Sequence, residues 1–482
     1  MPDSFLFYDL ETFGQDPRRT RIAQFAAIRT DLDLNEIEPP ISFFVQPAND
    51  LLPSPEATLV TGITPQDALR DGVIEAEAFA RILDEMGRPQ TCSLGYNSIR
   101  FDDEFIRYGL YRNFHDVYER EWKRGNSRWD LLDALRLMHA LRPDGIQWRQ
   151  REDGKGTSFK LEHLAEDNGL RVGSAHEALS DVRALIGLAR LFKQAQPRLW
   201  DYALGLRDKR FVAAQLDVIG MTPLLHISQR YPATRLCAAP VLPLVVHPVY
   251  STRTIVFDLD AEPDDLLALD ADTIAARLYT RSEDLPAGAT RIALKEVHHN
   301  KCPALVRWDY LRAADFDRLG IDPDIVLARV ARLRATAHAL AEKLRRVYAR
   351  ARPDASVDVD AALYDGFLGD PDKRLQAQVR ATPPQRLASA HFPFHDPRLP
   401  ELLFRYRARN WPEALSASES ERWDAYRRQR LLEDSGLSEL TLAQFDAQLA
   451  ALRVQRAEDA RALAVLDQLQ DWGARVAMAL GR

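Results

Sequence analysis

Phe5-Leu-Phe-Tyr-Asp-Leu-Glu-Thr-Phe-Gly14 is the stretch on which the reading of this chain turns. Its apolar run from Phe5 to Leu10 predicts a buried strand, and Gly14 marks where the run breaks. Asp9 and Glu11 interrupt that run two residues apart. Successive side chains on a strand point to opposite faces, so the two carboxylates share one face of a rigid element. Carboxylates this close repel one another and are costly to bury unless a cation lies between them. Hard oxygen ligands of this kind suit Mg²⁺ or Mn²⁺. An isolated pair can equally be an exposed acidic strand end, so the rest of the chain has to decide.

Outward from that stretch, Ile22–Arg29 and Ile41–Gln46 read as two further strands, which predicts an antiparallel meander opening a mixed sheet. Pro65 marks a helix start, Ala76–Met86 has helical spacing and Thr91–Tyr96 returns as a strand. Immediately after it, Gly95–Glu104 opens a helix running to about Arg112, which puts Asp102 at a strand-to-helix junction. A helix is expected over Trp129–Leu141, and two more over Phe159–Asn168 and Ala175–Phe192, with Ser174 as N-cap of the last. His176 lies in its first turn and Asp181 five residues further on. The α/β pattern stops near Pro197. Short β-rich runs follow at Leu224–Ser228, Pro243–His247, Thr254–Asp258 and Ala304–Trp308, with a helix over Asp272–Tyr279 capped by Asp272. From about residue 354 helical periodicity dominates, notably over Ser418–Leu432 and Thr441–Leu480, and Ser418 with Glu421 has capping-box spacing. The expected domains are therefore 1–196, 197–350 and 354–482.

Composition bounds the function. The chain has 482 residues, 46% hydrophobic and 28% charged, as expected for a soluble globular protein of two to four domains. A net charge of −7 argues against binding nucleic acid by overall field, so any phosphate backbone must be met by local basic patches or metal ions. Cys92, Cys237 and Cys302 are far apart and fit a reducing cytoplasm without a disulfide framework. No signal-like segment or membrane span is expected, since the most apolar later stretch, Ala238–Tyr250, is cut by three prolines.

Four acids and one histidine stand in a defined order: Asp9, Glu11, Asp102, His176 and Asp181. Four carboxylates converging on one point need about two divalent cations to neutralise them. Two such metals roughly 4 Å apart form the clamp used for in-line phosphoryl displacement. A histidine beside the attacking water suits a general base.

The D-x-E strand, the N-x-x-x-F-D motif at Asn97–Asp102 and the H-x4-D motif at His176–Asp181 resemble the DEDD-type 3′→5′ exonucleases of the histidine subtype. The tyrosine subtype has Tyr four residues before the last Asp, where this chain has Glu177. Within that superfamily, DLETFG at 9–14, QFAAIRTD at 24–31, GYNSIRFDDE at 95–104, NSRWDLLDALR at 126–136, HNKCP at 299–303 and YRARNWP at 406–412 are similar to the bacterial exodeoxyribonuclease I family. These segments span nearly the whole chain, with no departure at the five catalytic positions.

The resemblance implies an RNase H-like exonuclease domain with a mixed α/β sheet, an SH3-like domain and an α-helical C-terminal domain, together forming a cleft around the strand. It also implies a processive enzyme of DNA repair and recombination that releases 5′-mononucleotides from the 3′ ends of single-stranded DNA. By that comparison Asp9 would bridge two Mg²⁺ ions (Mn²⁺ substituting), Glu11 and Asp181 would complete the one holding the attacking water, and Asp102 would support the second. A monomer in the bacterial cytoplasm, acting on nucleoid DNA, is implied as well.

Single strands are gripped by aromatic stacking and backbone contacts. Phe13 and Phe101 flank the acids and are placed to touch the terminal base or sugar, with a core anchor as the alternative for Phe101. Leu59–Thr64 resembles the family segment around the 3′-terminal nucleotide, where Gly62 would let the backbone approach while Thr61 or Ile63 touches it. Arg107 and Tyr108 could track phosphate. Arg405, Tyr406, Arg407, Arg409 and Trp411 interleave basic and aromatic side chains, which suits single-stranded DNA as well as a solvated helix edge. Arg142, Tyr202, Arg312 and Arg334 fall where the family's pocket for the C-terminal tail of the single-stranded DNA-binding protein is expected. His298, His299 and Cys302 lack a fourth ligand for zinc. Two other readings are weighed: a trimming exoribonuclease, against which the two extra domains argue, and a catalytically inactive DNA-binding module, against which all five intact positions argue.

Overall fold

The computed structural model describes residues 2–171, 177–349, 356 and 358–481. They fall into two compact units: Met1–Ser127 with Arg171–Arg183 and Asp354–Arg482, and Arg128–Leu170 with Ala184–Pro353.

In the first unit the opening strands form the expected meander. β1 (Ser4–Thr12) pairs antiparallel with β2 (Ile22–Thr30), which pairs antiparallel with β3 (Ile41–Phe44). Pro55 at the first helical position and Ser54, whose hydroxyl accepts the Ala57 amide, start α1 (Pro55–Thr61), and Gly62 ends it at φ 70°. α2 (Pro65–Asp71) begins the same way on Thr64, and α3 (Glu75–Met86) follows. β4 (Thr91–Gly95) lies parallel to β1, so the sheet is mixed. It leads directly into α4 (Asp102–Arg112).

One face of β1, carrying Leu6, Tyr8 and Leu10, is buried with Phe25 and Ala27 of β2 against Phe79 and Ile82 of α3 and Phe105 and Ile106 of α4. α3 and α4 meet at Gly109, where an added Cβ would lie 1.7 Å from the Phe79 ring. Only glycine fits there. Leu399, Leu402 and Tyr406 of the helix Leu399–Asn410 join the same core, so this C-terminal helix shares the mixed sheet's hydrophobic interior.

β5 (Ser127–Asp130) precedes α5 (Leu131–Leu141), so the expected helix starts two residues later than Trp129. The Asp130 carboxylate accepts the Leu132 amide and sets that start. α6 (Leu161–Asp167) and α7 (Ala178–Ala195) follow; the expected start of α7 at Ser174 and Ala175 lies outside the described residues.

The second unit holds an antiparallel sheet of β6 (Leu224–Ile227), β7 (Ala238–Val246), β8 (Arg253–Asp258), β9 (Leu294–His298) and β10 (Ala304–Arg307), in the order β10-β6-β7-β8-β9. β7 is longer than its prolines suggest, because the register shift between Pro243 and Val245 absorbs Pro243. β9 has no apolar run because it is a half-buried edge strand. Two caps also move. Asp270, not Asp272, accepts the Thr273 amide, and Ser416 with Glu419, not Ser418 with Glu421, forms the reciprocal capping box. The expected helical stretch Thr441–Leu480 divides into Leu442–Gln455 and Ala460–Ala479.

Beneath the C-terminal helices of the first unit lies a buried ionic network. Arg409 bridges Asp50 at 2.9 Å and Asp360 at 2.6 Å, Arg405 also reaches Asp360 at 2.9 Å, and Arg430 reaches Asp50 at 3.4 Å. Burial alone would push the Asp50 and Asp360 carboxyls up. The surrounding guanidinia, Arg409 foremost, overcome it and hold both well below the usual carboxylate range. Breaking one partner of such a network leaves buried charge uncompensated. Asp360→Ala is expected to cost about 3–5 kcal/mol and to lower the urea unfolding midpoint, whereas Arg70→Ala, at an exposed pair with Asp71, leaves the midpoint in place.

Candidate metal centre

Asp9 and Glu11 stand on the face of β1 opposite Tyr8 and Leu10, next to a register shift between Glu11 and Thr12. Asp181 comes from the first turn of α7. One carboxylate oxygen from each of Asp9, Glu11 and Asp181 lies within 4.8 Å of the other two, the one such group of three among the described residues. Asp102 is outside this trio. It is buried in the first turn of α4, just past the end of β4, the strand parallel to β1. His176 lies outside the described residues.

The electrostatics of the trio fit a cation. Burial, together with the Asp181 charge, pushes the Asp9 carboxyl well above its ordinary range. Burial, then Asp9, then Asp181, push Glu11 up to about 9. Among the described residues no lysine or arginine forms an ion pair with Asp9 or Glu11, while Arg171 pairs with Asp181 at 2.8 Å. Three partly or fully buried carboxylates that converge in this way are a donor set for a hard divalent ion.

Behind the cluster the β1 backbone is held from its other face. The Tyr8 hydroxyl donates to Asp103 at 2.8 Å, and Arg120 donates to the same oxygen at 2.6 Å, all deeply buried. Asp103 therefore ties β1 to the start of α4, next to Asp102. Just past the acids, the Glu439 carboxylate accepts the Gln15 amide at 3.0 Å and the Asp16 amide at 3.4 Å, and packs so closely on Gly14 that a Cβ there would lie 2.3 Å from it. Neither Glu439 nor Arg171 was legible as a site residue. The Glu439 contact joins residues 424 apart, with no local signal, and Arg171 belongs to no motif.

The expected strand-binding residues occupy varied environments. Phe13 and Ile63 are buried in one small core with Ala23, Leu51 and Ala68. Thr61 accepts the Ile63 amide at 3.2 Å beside the left-handed Gly62. Phe101 packs on Phe105 with ring centroids 5.0 Å apart. Arg107 is buried between Glu104 and Glu121, while Tyr108 lines a cavity of about 470 Å³ with Gln15, Asp16, Pro17, Arg18, Glu104 and Glu439. The carboxylate trio is not part of that cavity's lining. Arg405 and Arg407 do not form an exposed basic edge: Arg405 is buried against Asp358, Asp360 and Glu401, and Arg407 against Glu419. Trp411 packs edge-on against Tyr406 at 5.2 Å. Burying those charges among acids satisfies them internally.

In the second unit Asp315 joins two of the four expected partner-binding residues, accepting from Arg142 at 2.5 Å and from Arg312 at 3.4 Å. Tyr202 donates to the Leu305 carbonyl at 2.9 Å and stacks edge-on with Tyr310. Arg334 donates to the Met221 carbonyl at 3.0 Å. His299 bonds Thr254 at 2.8 Å and the Cys302 thiol donates to the Arg128 carbonyl at 3.2 Å.

Because Glu11 holds its proton in the folded chain up to about pH 9 while an unfolded glutamate releases it near 4.5, its burial lowers stability as pH rises through that window. Glu11→Gln is expected to raise metal-free stability at pH 8 by about 1–3 kcal/mol, and by less at pH 5. Thermal unfolding in EDTA at both pH values reads this out, and an equal or reversed pH difference would contradict it.

Three family models match the chain: "Exonuclease" over residues 6–189, "Exonuclease I SH3-like domain" over 207–350 and "Exonuclease I C-terminal domain" over 357–476. Exodeoxyribonuclease I of Haemophilus influenzae is 42% identical over 98% of both chains, and that of Escherichia coli is 46% identical over 88% of this chain and 89% of the relative. Exonuclease I from Methylocaldum szegediense superimposes with a TM-score of 0.93 at 46% identity, over 98% of this chain and 99% of that one. The zinc-bound E. coli ExoI–ssDNA complex matches with a TM-score of 0.92 at 43% identity, over 98% and 99%. An SSB/Exonuclease I structure with the inhibitor CFAM matches at 0.91 and 41% identity, over 99% of this chain and all of that one. With its nuclease domain, SH3-like domain and C-terminal helical domain all matched in order, this chain belongs to the exonuclease I family.

Proposed function

We propose that the chain is a processive exodeoxyribonuclease that degrades single-stranded DNA from its 3′ end to 5′-mononucleotides. The observation that carries this reading is the convergence of Asp9, Glu11 and Asp181 within 4.8 Å, on a chain of the exonuclease I family. Asp9, Glu11 and Asp181 would hold divalent cations, Mg²⁺ first and Mn²⁺ as a substitute, with Asp102 supporting the second. When bound, the cations supply charge neutralisation at the scissile phosphate and Lewis-acid activation of water.

The chain's own residues do the rest. Asp9 and Glu11 are fixed by the rigid β1 backbone, so the carboxylates need little reorganisation on binding. His176, five residues before Asp181 in the sequence, is assigned as the general base that would accept the proton of the attacking water. Gly62, whose left-handed φ of 70° ends α1, would let backbone rather than side chain approach the terminal nucleotide, with Thr61 or Ile63 touching it. Domains 1–196, 197–350 and 354–482 are the working division. The tail of a single-stranded DNA-binding protein docks on Arg142, Tyr202, Arg312 and Arg334, with the Arg142–Asp315–Arg312 arrangement presenting Arg312 to solvent.

The test uses 5′-labelled single-stranded DNA and its matching RNA, each with Mg²⁺ or EDTA, for wild type and Asp9→Ala. Shortening of the DNA from its 3′ end, dependent on metal and absent in the variant, is the expected result; preference for RNA, or binding without cleavage, would overturn it. His176→Ala is expected to lose about 10²–10⁴-fold in turnover while its DNA affinity stays near wild type. An equal loss of binding would make His176 structural.

A further inference from the structure

Arg171 has no place in the reaction described above, yet its guanidinium Nη1 lies 2.8 Å from Asp181 Oδ1. Asp181 is one of the three carboxylates whose oxygens converge within 4.8 Å. The pair is shielded, with side chains only 21% and 11% exposed, so solvent screens it weakly. Both side chains belong to the same short segment of the first unit, Arg171–Arg183, and sit beside β1 through Asp181. Asp9 and Glu11 have no such cationic partner among the described residues.

We propose that Arg171 is an internal counter-cation of the carboxylate site, which engages a ligand carboxylate and thereby lowers the site's affinity for divalent metal. The proposal rests on the metal-binding reading of Asp9, Glu11 and Asp181. A positive charge within hydrogen-bonding distance of one ligand repels an incoming cation and competes for the same oxygens. It also offsets part of the carboxylate repulsion when no metal is bound, so the site does not depend on the ion to hold together. The trade is a weaker site for a sturdier one. Arg171 is a positioning residue in this scheme: it touches Asp181, not the substrate.

Full-length wild type, Arg171→Met and Arg171→Lys separate the possibilities by calorimetric Mn²⁺ titration without DNA, and by thermal unfolding in EDTA and in saturating Mn²⁺. The proposal expects Arg171→Met to bind Mn²⁺ about tenfold more tightly, and Arg171→Lys to stay near wild type. It also expects Arg171→Met to unfold at lower temperature than wild type in EDTA, and to gain more from Mn²⁺ than wild type does. Unchanged or weaker Mn²⁺ binding in Arg171→Met, with circular dichroism matching wild type, would overturn it: the arginine would then be a bystander or an orienter of Asp181. Should Arg171→Met misfold, Arg171→Lys decides alone, since a several-fold change in its Mn²⁺ affinity with the charge retained would overturn the electrostatic account. If wild type itself fails to bind Mn²⁺, the metal reading falls with it, a failure distinguishable from the others because no variant comparison is needed to see it.

Discussion

Mutual repulsion among Asp9, Glu11 and Asp181 is the constraint around which the first unit is built. Their oxygens lie within 4.8 Å of one another although burial pushes Asp9 and Glu11 toward their protonated forms. Charged groups left to relax would separate. They stay together because two sit on one strand face, where backbone pairing with β2 fixes their spacing, and the third is carried by the first turn of α7.

That rigidity comes from behind and beside the strand. On the far face, Tyr8 and Arg120 converge on Asp103, so the strand that bears Asp9 and the helix that begins at Asp102 share one buried hydrogen-bonded node. Past the acids, Glu439 accepts two backbone amides of the turn after Gly14. The C-terminal helices thus do more than add surface to a nuclease. They place a carboxylate on the turn that follows β1, and they are tied to the loop before α1 by Arg409 and Arg430 on Asp50, while Arg430 also donates to the Arg19 carbonyl. A buried network of that kind contributes little net stability over an apolar core, but removing one partner leaves the others as uncompensated buried charge.

The same network shows what a reading from residue pattern leaves out. Arg405, Tyr406, Arg407, Arg409 and Trp411 alternate base and aromatic, the signature of a surface that grips single strands. Their pattern carries no information about Asp358, Asp360 or Asp50, which neutralise them from elsewhere in the chain. Phe13, likewise, follows the acids in sequence, and the pattern does not show that it is buried in a core with Ile63 and Leu51. The cap at Ser416 rather than Ser418 is a smaller instance: both serines have a glutamate three residues on, and Arg407, which holds Glu419 at 2.5 Å, favours the first.

What the sequence by itself determined is the list of acids, the strand that carries two of them, the meander that follows, and the family, because these depend on period-two alternation, local turn chemistry and motif order. It also determined that Asp102 lies at a strand-to-helix junction, though not that the strand runs parallel to β1. Only the tertiary structure decided which charges face one another: that Asp181 meets Asp9 and Glu11, that Arg171 holds Asp181, that Glu439 reaches Gln15, and that the C-terminal arginines turn inward. Coulombic and hydrogen-bonded pairing depends on distance in space rather than along the chain, and a periodic pattern records only the latter.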